Sequence, residues 1–142
     1  MKTTDLQDLI DWEAIMPMPR CAGGHDKQMR GLFKGATVLA HWNDGKYSGT
    51  VATAVRLKDG RYCWYQDSYG SCSGCDAWEY AKAEDVRALC IRLACDASVF
   101  DTRMEMLADM RKKDPASWRN EAGHELAGMI ESNMEKTWKA NE

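Results

Sequence analysis

The sequence predicts an α+β fold: an N-terminal helix, a three-stranded antiparallel meander, and two to three C-terminal helices packed on one face of the sheet. Three observations predict it. Residues 36–69 are rich in β-branched and aromatic side chains and are divided by two Asp-Gly turns. After residue 76, apolar residues recur every three or four positions, the spacing of one helical face. The two patterns are segregated along the chain, which separates α+β from an alternating α/β arrangement. A length of 142 residues fits one domain over 1–142. It divides into an N-terminal helix and loop (1–35), a β-meander (36–69) and a helical part (76–142).

Thr4 can cap a short helix over residues 4–15, with Leu6, Leu9, Ile10 and Ile15 on one side. Pro17 and Pro19 end it. Residues 20–35 carry Gly23, Gly24 and Gly31 without a period and read as a loop. A first strand over 36–42 leads to the turn Asn43-Asp44-Gly45-Lys46. The second strand alternates, placing Tyr47, Val51, Val55 and Leu57 on one face. Lys58-Asp59-Gly60 reads as a turn of the same type, and residues 61–69 as an aromatic third strand.

Asp76 caps the following helix, with Glu79 three residues on. Val86, Leu89, Leu93, Ala97, Phe100, Met104 and Leu107 form one face of a helical region reaching about residue 113. Asp114-Pro115 restarts a helix whose face is Trp118, Ala122, Leu126, Met129 and Met134. Gly123 and Gly128 weaken that helix by about 1 kcal/mol each relative to alanine, a cost that close packing can offset.

Composition bounds the function. The net charge of −3 argues against a general DNA binder, which shows a basic footprint. No apolar run reaches membrane-spanning length, and the first residues lack the pattern of a signal peptide. A cytosolic setting is expected, in which the six cysteines are reduced.

The segment Tyr69-Gly70-Ser71-Cys72-Ser73-Gly74-Cys75-Asp76 is the most distinctive in the chain. Its C-x-x-C spacing with an internal glycine can bring two thiolates to one zinc ion. Cys63, and Cys21 with His25 in a C-x3-H pair, are the candidates for the remaining ligands, and His41 is a further one. Thiol–disulfide chemistry uses the same spacing. Here Asp67, Asp76 and Glu79 lie close in sequence, and their charge disfavours a thiolate. A tight connection with small, half-buried thiols is the plain alternative. Cys90 and Cys95 sit among apolar helix residues and read as core fillers.

Trp42, Tyr47, Tyr62, Trp64, Tyr65 and Tyr69 gather in the meander and are the candidate partner-binding residues. Because strand faces alternate, Tyr62 and Trp64 lie opposite Cys63 and Tyr65, and one aromatic pair is the more exposed. The bases Lys27, Arg30, Lys34, Lys46, Arg56, Lys58 and Arg61 outnumber the acids over 27–61. Gathered at one sheet edge they would suit an acidic partner or RNA. No Gly-x-Ser-x-Gly elbow, phosphate loop or H-E-x-x-H motif is present, and a non-enzymatic role is expected.

The run Trp42, Asp44, Gly45, Tyr47, Gly49 and Val51 resembles the first hairpin of a Tudor-type small barrel, which would imply an aromatic cage for methylated side chains. A broader resemblance covers about residues 47–107. The run Y-G-S-C-S-G-C-D-A at 69–77, followed by Glu84-Asp85-Val86 and Val99-Phe100-Asp101, is similar to a group of small proteins of tailed bacteriophages. That resemblance implies a host-cytosol setting. The expected function is an accessory protein that binds and inhibits or redirects a host protein or ribonucleoprotein complex, a defence system such as CRISPR among them. The alternative is a zinc-stabilised binding module using Cys72 and Cys75, and a thiol redox enzyme ranks below both.

Overall fold

A computed structural model gives the fold over residues 3–15, 29–43, 49–69, 83–112 and 119–140. The architecture follows from its central strand. β2 (Gly49–Arg56) alternates valine and threonine with alanine, so its two faces differ in size but not in burial. Val51 and Val55 point to one side and Ala52 and Ala54 to the other, all at most 1% exposed. A strand buried on both faces needs a layer on each.

β2 pairs antiparallel with β1 (Thr37–Asn43) and β3 (Tyr62–Tyr69). A fourth strand, β4 (Ser98–Phe100), pairs antiparallel with β3, giving the order β1-β2-β3-β4. The expected meander is therefore three strands of a four-stranded sheet. The second turn also differs from expectation. Leu57 donates to the Arg61 carbonyl at 2.8 Å and Gly60 to the Leu57 carbonyl at 2.9 Å, closing a three-residue loop. Only Gly60 takes a positive φ there, 95°, as a type I turn closed by a left-handed residue requires. The first turn, at 44–48, lies outside the described residues.

One face of the sheet carries Val51, Val55, Cys63, Tyr65 and Val99. It is covered by α2 (Ala83–Asp96) through Val86, Cys90, Leu93 and Ala94. The N-terminal segment completes that layer with Leu6, Ile10, Ile15, Met29, Leu32 and Phe33. In place of the expected single helix over 4–15 there is a 3-10 helix, Thr3–Leu9, then one α-turn, α1 (Trp12–Ile15). The break has a cause. Ile10 bridges to Phe33, and Asp11 and Lys34 bond across to Leu32 and Leu9 at 2.8 and 2.7 Å. Asp11 then caps α1, its carboxylate accepting from Ala14 N at 3.1 Å.

The opposite face carries Ala40, Ala52 and Ala54 under α3 (Arg103–Met110) and α4 (Arg119–Ala140). The helices thus cover both faces, not the single face expected from sequence. The small alanine side chains leave room for α3 and α4 to come close, and Met106, Leu107, Met110, Leu126 and Ile130 fill the space. The expected continuous helical face also divides. Ala97 ends α2's layer, Ser98–Phe100 extends as β4, and Thr102 restarts a helix by accepting from Glu105 N at 3.2 Å. The Asp76 cap and the Asp114-Pro115 restart lie outside the described residues.

Candidate functional site

The sheet register brings chemistry-bearing residues into rows. Thr37, Arg56, Tyr62 and Phe100 lie side by side across all four strands on the α3 face. Phe100 leads directly to Thr102, Arg103 and Met104 at the start of α3. The guanidinium of Arg56 stands 5.7 Å from the centre of the Tyr62 ring, and that of Arg103 stands 5.5 Å from it. Two cations thus share one aromatic ring, each attracted by its quadrupole. Among the described residues, no carboxylate pairs with either of them. Arg103 Nε is buried without a hydrogen-bond partner.

The surroundings of the row are exposed. Met104, next to Arg103 in the chain, is 70% exposed, whereas Val38, 40% exposed, stands opposite Val55 on the other face of the sheet. Lys58 sits in the hairpin loop beside the row, packed against Gly35. Arg61 is on the same hairpin but is neutralised by Asp59, with Nη2 to Oδ2 at 2.8 Å, and this contact holds the Asp59 carboxyl below its ordinary range. Of the basic residues noted in sequence, Arg56, Lys58 and Arg61 therefore gather at one end of the sheet. Lys27 and Lys46 lie outside the described residues.

The meander aromatics divide by strand face. Tyr65 is 3% exposed, its ring edge-on to Phe33 at 5.5 Å between centres. Its hydroxyl donates to the Met29 carbonyl. Burial pushes the Tyr65 hydroxyl well above the ordinary tyrosine range. A partner cannot reach it, which corrects its assignment as a binding residue. Trp42, Tyr62 and Trp64 are half-buried and pack at the margin of the second core. Trp64 Nε1 donates to Asp109 Oδ2 at 3.0 Å, tying β3 to α3. The backbone of Tyr69 ends β3, and Tyr47 lies outside the described residues.

The cysteine segment 70–82 lies outside the described residues, so Cys72 and Cys75 do too, as do Cys21 and His25. Cys63 is described. It is fully buried between Val55 and Val99 in the sheet register, and burial pushes its thiol up to about 12. That surrounding suits a neutral thiol rather than a metal-bound thiolate. Among the described residues no three His, Cys, Asp or Glu side chains gather as a metal site. His41 instead contacts Thr53 Oγ1 through Nδ1 at 2.8 Å. Cys90 is also buried, its thiol pushed up to about 12, whereas Cys95 is exposed and accepts from Gln7 Nε2 at 3.1 Å. Cys90 fits its expected place in the core and Cys95 does not.

These thiols give a direct check. Mass-spectrometric mapping of brief alkylation of the native chain is expected to find Cys95 modified before Cys63 and Cys90. Raised thiol values in the fold also set the sign of a pH effect. Their stabilising contribution is complete below the ordinary thiol range and is lost as pH climbs from about 9 toward 12. Denaturant midpoints should fall over that window, and fall less steeply in a C63A/C90A chain.

Sequence reasoning counted Arg56 among the bases but missed Phe100, Arg103 and Met104. The available signals were the β-favouring Ser98-Val99-Phe100 triplet and the capping pair Thr102 and Glu105, which together mark a strand and a fresh helix. No described helix is long and apolar enough to cross a membrane. No protein-family model matches the chain, and comparison with curated proteins and with solved structures gives no match.

Proposed function

We propose that this chain is a small phage-type accessory protein that acts by binding, and that it inhibits or redirects a host macromolecular complex in the host cytosol. The observation that carries the reading is the group of Arg56, Tyr62, Phe100, Arg103 and Met104, in which Arg56 and Met104 are exposed and the other three are half-buried. Arginine, tyrosine and methionine are the residues enriched at protein interfaces, and arginine and tyrosine supply most of the strong contacts there. A fold that leaves two arginines on one ring without carboxylate partners among the described residues has side chains to offer a partner. The similarity of the Y-G-S-C-S-G-C-D-A run to phage proteins supplies the setting, with a protein or ribonucleoprotein complex of the bacterial host as the target. Defence complexes such as CRISPR effectors belong to that class.

The test is affinity purification of the tagged chain from host lysate, followed by assay of the captured complex. Stoichiometric capture, with loss of the complex's activity when free chain is added, is the expected result. Failure to retain any stoichiometric complex contradicts the proposal.

A further inference from the structure

We infer that Arg56, Tyr62 and Arg103 form a carboxylate-binding site, and that its occupant is an acidic segment of a partner protein bearing apolar side chains beside its carboxylates. The inference rests on the proposed binding role and names the chemistry of the partner.

Two guanidiniums are held on one ring, 5.7 and 5.5 Å from its centre, and no described carboxylate compensates them. An anion docking at this end of the sheet supplies the counter-charge that the described residues do not. The planar fork of arginine matches a carboxylate, and stacking on Tyr62 removes rotamer freedom before the ligand arrives. Lys58 adds a further positive charge at the same end of the sheet.

The surroundings select a peptide over a nucleic acid. Exposed apolar surface lies next to Arg103, at Met104 (70% exposed). Apolar side chains of a protein segment can cover it, whereas a phosphate backbone has nothing to place there. Asp101 and Glu105 are exposed on the α3 side of the row. A long polyanion would have to run past both, while a short segment need not. The whole chain is acidic, with a net charge of −3, which opposes a long-range hold on nucleic acid.

Fluorescence anisotropy on the full chain tests this, with two labelled probes at low and moderate salt. One is a short peptide in which glutamate and aspartate alternate with leucine. The other is a single-stranded oligodeoxynucleotide of matched charge. The peptide is expected to bind, and R56Q/R103Q to weaken it about tenfold or more. Tyr62→Phe keeps the ring and should stay within about twofold, whereas Tyr62→Leu keeps both arginines and should weaken binding severalfold. If the double variant loses its cooperative melting transition, R56Q alone, at an exposed position, carries the test with about a threefold loss expected. Absence of peptide binding, or binding insensitive to the arginine substitutions, overturns the site. Tighter, arginine-dependent binding of the oligonucleotide overturns the choice of partner. Capture of a host complex equally by wild type and R56Q/R103Q would sink the carboxylate site alone. Peptide binding without any host complex would sink the host-complex reading alone.

Discussion

Gly123→Ala is expected to destabilise the chain by about 2 kcal/mol, even though alanine is the better helix former. A Cβ on Gly123 would stand 2.2 Å from the carbonyl oxygen of Met110, a backbone atom at the end of α3. No rotamer change relieves that contact, so α3 and α4 must separate. Separation opens the layer formed by Met106, Met110, Ala122 and Leu126 over the alanine face of the sheet. Gly128 makes the control. It is in the same helix, and an added Cβ there meets nothing within 4 Å. Gly128→Ala is expected to stabilise by about 1 kcal/mol through helix propensity alone. Urea midpoints of the two variants should therefore move in opposite directions. Equal shifts would mean that α4 does not approach α3 at Gly123.

The largest loss is expected on the other face. Tyr65→Ala should cost about 3–5 kcal/mol, and Tyr65→Phe about 1–3 kcal/mol. Tyr65 joins the sheet to the N-terminal layer, with its ring against Phe33 and its hydroxyl on the Met29 carbonyl. Removing the hydroxyl leaves a buried carbonyl without that donor, and removing the ring opens a cavity beside Cys63 and Cys90. A thermal denaturation series of the two variants separates the contributions. A Tyr65→Phe melting temperature equal to that of wild type would show that the hydroxyl is not bonded in solution.

The parts of the fold legible in sequence were those written by local pattern. The alternation of Val51, Val55 and Leu57 places them together in the first core, as expected from a strand with one large-residue face. The two-layer error came from the other face. Ala52 and Ala54 carry no strong hydrophobic signal, yet small residues on a strand are what a closely packed second helical layer requires. β4 was hidden because Leu93, Ala97, Phe100, Met104 and Leu107 keep helical spacing straight through a three-residue strand. Gly123 shows the close packing anticipated for it, whereas Gly128 is exposed and does not.

The candidate site was less legible. Arg56 and Tyr62 come together through the β2–β3 register, and Arg103 joins them only because β4 carries the chain back to the same end of the sheet. Neither step is local, so residue spacing does not report it. The aromatic cluster was visible, but its division into a buried Tyr65 and a half-buried Tyr62 depends on which helices cover which face.

The most direct measurement is quantitative affinity purification from host lysate with wild type and R56Q/R103Q side by side, both verified as folded by circular dichroism. The account expects a stoichiometric host complex on the wild-type chain and its depletion by about tenfold on the double variant. No stoichiometric complex on the wild-type chain, or equal recovery on both, would contradict it.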